Sequence, residues 1–254
     1  MKTSSKARRL AMGERRGWSP RDEHDFRPDA QELLHTASFE LAFLLDRGYP
    51  RESACTFVGN RYQLTERQRL VLLRSTCGSL KAKERLAKLH LLGDTAYEDV
   101  CLDGFNVLIP LEAALSGAPI ILAEDGSIRD LAGISGTWHP LPCTYQALDL
   151  LLAPLGDAHP RSIMVFLDAP VSNSGRLAAL FREEAQKFCS CSVTVELVRS
   201  CDRMLAGKSF VASNDSHVID AACSWLSIDR EAMAGLDDVW LLDFSEHEKG
   251  SIPL

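Results

Sequence analysis

Residues 102–110 read LDGFNVLIP, an apolar run that carries an acid at Asp103 and an amide at Asn106. A carboxylate set among residues that want burial needs a partner or a ligand, because an unpaired buried charge is costly. The segment reads as a strand, VCL, that ends at Asp103. Gly104 then lets backbone or a substrate come close, and Val107, Leu108 and Ile109 pack the next element under the sheet. Asn106 either caps that element through its amide or bonds to Asp103 and neighbouring backbone to fix the loop.

Downstream the same grammar repeats. The runs VCLDGF, PIILAED, SIMVFLDAP, VTVELV, SFVASND and VWLLDF are short strand candidates, and amphipathic stretches such as SGRLAALFREEAQKF and DSHVIDAACSWL lie between several of them. Alternating strand and helix predict a parallel sheet covered on both faces, whose buried strands read as continuous apolar runs. The Asp125-Gly126 pair suits a local hairpin. Upstream, LLHTASFELAFLLDRG spaces its apolar residues at helical steps and stops at Gly48, with Pro50 beyond. Shorter helices are expected from Pro50 to about Phe57, over TERQRLVLLRST with Thr65 as cap, and over KAKERLAKLHLLG. The expected division is a basic flexible arm over residues 1–28, a small all-α domain over 29–95 and an α/β domain over 96–254.

A chain of 254 residues suffices for one large domain or two modest ones with real cores. Its 46% hydrophobic and 25% charged residues are ordinary for a globular protein, and no apolar run nears the ~18 residues of a membrane span. The basic start MKTSSKARRLAMGERRGWSP lacks the apolar core of a secretory signal, so a cytoplasmic location without membrane attachment is expected. Eight scattered cysteines without a CxxC pair argue against a zinc knuckle or a disulfide framework, and most are expected to be buried thiols. Charge is divided unevenly: residues 1–98 carry 18 Lys and Arg against 13 Asp and Glu, the remainder 10 against 22. That split fits one part that meets a polyanion and one that holds cations, and equally two solvated surfaces of different composition.

Open α/β sheets bind ligands outside the carboxyl ends of their strands. Three candidate strands end in an acid there: Asp103, Asp168 and Asp215, with Asp220 a little further into the next helix. Converging carboxylates repel one another unless a hard cation neutralises them, and Mg2+ or Mn2+ prefers such oxygen donors. The bland alternative is that these acids merely cap helices or end strands.

The motifs also carry a family resemblance. LDGFNVLIP resembles the opening strand of the PIN-like nucleases, more closely their bacterial NYN branch, in which an Asp-Gly-Tyr/Phe-Asn-Val segment starts the sheet. MVFLDAP resembles that family's central strand ending in Asp. VASNDSHVID resembles its later strand, with a Thr/Ser-x-Asp end at Ser213-Asn214-Asp215 and a second acid downstream. The resemblance spans residues 97–245 in the family's order. It implies a three-layer α/β/α sandwich with a mainly parallel sheet and an acidic site that binds Mg2+ or Mn2+ to hydrolyse RNA phosphodiesters. By position it implies Asp103, Asp168 and Asp215 as metal ligands and Asp220 as a further catalytic acid, with Asn106, Ser213 and Asn214 in support. Many members also carry a Glu on a helix, for which Glu112, Glu124 and Asp125 are alternatives here, and the hairpin region departs from the family's usual helix pair. The helical part, around FVGNRYQLTERQRLVLLR, is similar to the N-terminal domain of an uncharacterised prokaryotic family.

Phosphate has two further candidate receptors. Asn173-Ser174-Gly175 precedes an amphipathic helix whose free N–H groups, with Arg176, suit an anion; capping by Asn173 or Ser174 is the alternative. Arg61, Arg67, Arg69 and Arg74 form a candidate RNA-binding face beside Tyr62, against the alternative of a solvated helix face. His139 and His217 lack a nucleophile motif beside them, and neither GxGxxG nor a P-loop occurs. The function expected is metal-dependent RNA cleavage, with the helical part available to RNA, a protein partner or a second copy. The rivals are a non-catalytic RNA-binding module and another metal-dependent phosphoesterase.

Overall fold

The computed structural model describes residues 14–133 and 136–245. A single turn, α1 (Asp22–Asp25), leads into α2 (Pro28–Leu45), which opens on a proline whose fixed φ suits the first helical position and buries Ala30, Leu34, Ala37 and Leu41 on one face. Gly48, at φ +79°, turns the chain toward α3 (Arg51–Arg61). Thr65 and Gln68 close a capping box ahead of α4 (Glu66–Ser75), and α5 (Ser79–Leu86) follows. The helix expected over KAKERLAKLHLLG ends at Leu86. Beyond it Leu89–His90 form β1, captured by pairing with Trp225 and Leu226, so tertiary pairing overrides local helix propensity.

The remaining elements are β2 (Asp99–Asp103), α6 (Gly104–Leu115), β3 (Ile120–Leu122), β4 (Ile128–Arg129), α7 (Thr144–Asp157), β5 (Ser162–Asp168), α8 (Ser174–Phe188), β6 (Ser192–Val198), α9 (Cys201–Leu205), β7 (Val211–Ala212), α10 (Ser216–Ala221), β8 (Trp225–Leu226), α11 (Ile228–Met233) and β9 (Leu241–Asp243). Six strands form one sheet in the order β1-β8-β7-β2-β5-β6, every pair parallel. From β2 the chain steps outward through β5 and β6, then crosses back to β7 and β8 on the other side. The winding therefore reverses between β2 and β7, the place where open sheets of this kind form a crevice at the carboxyl ends of their strands.

Side chains alternate along each strand, so the sheet has two apolar faces. Val100, Leu102, Val165, Leu167 and Ala212 pack with residues of α6, α7, α8 and α11. Cys101, Phe166 and Val211 pack with Cys201 and Leu205 of α9 and Val218 of α10. The result is an α/β fold in three layers, with a mainly parallel sheet between helices.

The single sheet expected from the six β-branched runs divides in two. β3 pairs in parallel with β9 and antiparallel with β4, the hairpin turning at Asp125-Gly126 with Gly126 at φ +82°. This second sheet closes the helical part: Ile121, Leu131, Leu242 and Phe244 share one core with Phe26, Leu34, Leu41, Val58 and Leu72. The stretch DSHVIDAACSWL, expected as one helix, divides into α10 and β8.

Of the arm expected to be flexible, residues 1–13 lie outside the described residues, while the rest is anchored. Arg16, 8% exposed, donates from Nε to Glu112 Oε2 at 2.9 Å, and Phe26 is fully buried. The eight cysteines are free thiols, four of them buried and three half-buried. Among the described residues no helix is long and apolar enough to cross a membrane.

Candidate functional site

β2 delivers Asp103 to the crevice where the winding reverses. α6 starts immediately, at Gly104, where a Cβ would lie 2.5 Å from Leu167 Cδ2 and 3.2 Å from the Phe166 carbonyl, so glycine is what lets the helix begin against β5. The register sets Asp103 opposite Phe166 and one step beyond the Leu102–Ala212 pair, which brings Ser213 alongside. Asp103 is 0% exposed. Its Oδ2 accepts hydrogen bonds from Asn106 Nδ2 at 2.7 Å and Ser213 Oγ at 2.8 Å, so of the two roles open to Asn106 the bond to Asp103 is the one formed. Oδ1 is equally buried and has no hydrogen-bond partner. Burial pushes the carboxyl up to about 7; the two donors oppose that shift, and the charges of Asp168 and Asp215 add to it.

Pro110, inside α6, explains how the neighbouring loop is held. It has no N–H, so the carbonyl four residues earlier, that of Asn106, loses its helical donor. Asn214 Nδ2 supplies one at 2.9 Å. The same amide nitrogen donates to Asp229 Oδ2, and Asn214 Oδ1 accepts from the Ile128 N–H at 3.1 Å. Asp229 is 1% exposed, its Oδ1 also lacks a partner, and burial raises its carboxyl well above the usual range against the Asn214 bond. Sequence reasoning missed Asp229. It stands three residues beyond β8, as Asp215 does beyond β7, but β8 hides in a stretch that reads as helix.

The other strand-end acids flank the crevice. Asp168 Oδ1 accepts from the Cys201 N–H at 3.0 Å. Asp215 caps α10, its Oδ1 accepting from the His217 N–H at 2.7 Å, and its own N–H donates to Ser213 Oγ at 3.1 Å. Asp103 thus feels the charges of Asp168 and Asp215. Among the described residues, however, no group of three or more His, Cys, Asp and Glu side chains is placed to hold a metal ion.

Asp220 goes elsewhere. Arg85 Nε and Nη2 hold its two oxygens at 2.9 Å each and keep its carboxyl below the usual range. None of the alternatives for a helix-borne acid reaches the crevice as a free group. Glu112 accepts from Arg16, Trp138 and Thr144, Glu124 from Ser38 and the Cys77 N–H, and Asp125 from Arg85, Arg129 and Ser127.

The expected RNA-binding arginines are largely occupied. Arg67 pairs with buried Asp22 and bonds the Leu131 and Gly17 carbonyls. Arg69 bonds the Leu64 and Thr56 carbonyls and Asn60, and Arg74 bonds the Asp130 carbonyl. Arg61 remains largely exposed, 3.4 Å from Glu40, which also takes the Tyr62 hydroxyl. Whether a helical arginine faces solvent depends on what packs beside it, which spacing alone does not encode. Near the crevice, Arg176 is exposed in the first turn of α8. Neither neighbour caps that helix: Asn173, at φ +65°, donates to the Trp138 carbonyl at 2.7 Å, and the Ser174 hydroxyl faces the Ala169 carbonyl.

Two family descriptions match the chain. A domain of unknown function, DUF5616, matches residues 92–231, and a protein of unknown function, DUF434, matches residues 33–88. An uncharacterised protein of Methanocaldococcus jannaschii is 36% identical over 186 residues, covering 73% of this chain and 88% of its own length. No solved structure matches the chain.

Proposed function

The chain belongs to the family of the domain of unknown function DUF5616, and we propose that it is a metal-dependent ribonuclease of the PIN-like and NYN kind. The observation that carries this reading is the carboxylate of Asp103: buried at the winding reversal, with Oδ2 held by Asn106 and Ser213 and Oδ1 unpartnered. Its position at the ligand-binding edge of the sheet, together with the order of the three motifs, supports the family resemblance.

The residues fit a hard cation. An unpartnered carboxylate oxygen with two further acids nearby is an all-oxygen donor set, which suits Mg2+ or Mn2+ and not zinc. Asp103 would hold the ion through Oδ1, with Asp168 and Asp215 as the further acids. Mg2+ is commonly held by one or two carboxylates, waters and substrate phosphate, so a site with no three-residue protein cage among the described residues accords with an ion completed by its substrate. Such an ion makes bound water more acidic and stabilises charge on the phosphoryl oxygens. Asn106 and Ser213 fix the carboxylate, Asp168 and Asp215 set the local negative charge, and Arg176 meets a phosphate at the rim.

The test is cleavage of a mixed pool of single-stranded and structured RNA with Mn2+, Mg2+ or EDTA, comparing wild type with a folded Asp103→Asn variant. Both EDTA and the substitution abolish cleavage if the reading holds. The second reading, a non-catalytic RNA-binding module, is favoured by the lack of a three-residue ligand group among the described residues. Wild type that binds RNA and cuts none of the pool with either ion would establish it instead.

A further inference from the structure

We propose that Asp229 is a positioning residue of this site, acting through Asn214 to fix the direction in which Asp103 presents its unpartnered oxygen, an inference that rests on the ribonuclease reading of Asp103. The two donors on Asp103 Oδ2 come from separate elements: Asn106 from α6 and Ser213 from the loop after β7. Strand pairing does not tie them, because the β2–β7 ladder ends at Leu102 and Ala212. Asn214 joins them. Its backbone continues from Ser213, its Nδ2 grips the Asn106 carbonyl that Pro110 leaves without a helical donor, and its Oδ1 takes the Ile128 N–H.

One N–H of that amide is left, and it goes to Asp229. With both hydrogens and the carbonyl oxygen engaged, Asn214 has one allowed orientation. Take Asp229 away and the amide loses an anchor, so Asn106 and Ser213 lose the strut that keeps them converging on one oxygen of Asp103.

The chemistry of Asp229 is not that of a filler. A carboxyl at 1% exposure, with one amide donor and one orphaned oxygen, costs more than an amide or an apolar side chain of similar size. Costs of that kind gather where function demands them. Asp229 therefore acts behind the site, touching neither Asp103 nor an ion that Asp103 would hold.

Two variants test this. Asp229→Leu removes the acceptor while keeping the branched outline of the side chain, and Asp229→Asn keeps an acceptor oxygen. Amide hydrogen exchange is read at Ile128, whose N–H is held by Asn214, and at Asp215, whose N–H is held by Ser213. Loss of one such anchor speeds exchange at these two amides about tenfold in Asp229→Leu, with the other sheet amides near wild type and Asp229→Asn restoring most of the protection. In the cleavage assay Asp229→Leu lowers kcat about tenfold, as loss of an outer partner does, and leaves KM for RNA unchanged. Uniform acceleration across the sheet, or unchanged exchange at both amides, overturns the proposal. Should Asp229→Leu fail to fold, Asp229→Ala removes the same acceptor, leaves Asn214 and its bond to the Ile128 N–H in place, and is read in the same way. Wild type that cleaves no RNA refutes the ribonuclease reading alone, and the exchange data still decide whether Asp229 positions the loop.

Discussion

Asp103 gives the fold a stability that falls as pH rises. Its carboxyl titrates at about 7 in the folded protein against an ordinary 3.8, which corresponds to about 4 kcal/mol at ~1.4 kcal/mol per unit. Between those values the folded state keeps a proton that the unfolded state releases. Stability from this group is therefore greatest below pH 3.8, declines through the interval, and is lower by about 4 kcal/mol above pH 7. Asp103→Asn removes the ionisation. Its carbonyl still accepts from Asn106 and Ser213, but its NH2 occupies the place of the orphaned Oδ1 and finds no acceptor, costing about 1–3 kcal/mol. The variant should be less stable than wild type by about 1–3 kcal/mol below pH 4 and more stable by a similar margin at pH 8. Urea unfolding of both proteins from pH 4 to 8.5 reads the difference, in which titrating groups remote from Asp103 cancel. Mn2+ should then stabilise wild type more at pH 8 than at pH 5 and leave the variant unmoved. A wild-type-minus-variant difference that is flat across pH would refute the buried, proton-holding Asp103.

Other perturbations have definite outcomes. Gly104→Ala drives a methyl against Leu167 and the Phe166 carbonyl, and should lower the unfolding free energy by about 1–3 kcal/mol; an unchanged urea midpoint would mean that α6 slides away freely. Arg16→Met strands buried Glu112 and should cost about 3–5 kcal/mol, most of it recovered in Arg16→Met/Glu112→Gln; a single variant as stable as wild type would deny that the N-terminal segment is anchored. Arg67→Ala should destabilise the fold by leaving Asp22 unpaired and leave the salt dependence of RNA binding unchanged, whereas Arg176→Ala should reduce that slope by about one and leave Tm in place. The opposite pattern would move the RNA to the helical part.

Much of this architecture is legible in local pattern. The strands ending at Asp103 and Asp168, the Asp125-Gly126 hairpin and the Thr65 cap all follow from signals carried by a few adjacent residues, and the pairing of Asn106 with Asp103 is one of the two roles those signals leave open. What local pattern misses is decided at a distance. β1 and β8 are two residues each and exist because a neighbouring strand captures them. β3 and β9 read as core strands of the main sheet, yet they belong to the one that seals the helices. Asp220 resembles a site acid until Arg85 arrives from α5, and Asp229 goes unnoticed because the strand before it is too short to announce itself.

The core shared between the helices and the second sheet also constrains biosynthesis. On the ribosome α2, α3 and α4 emerge early, but one wall of their core consists of Leu242 and Phe244, each 1% exposed in the finished fold. Until that segment is made, the apolar face of the helices stands open, as transient exposed surface does for any domain awaiting distant contacts. These helices, made before that segment, are thus completed only after it.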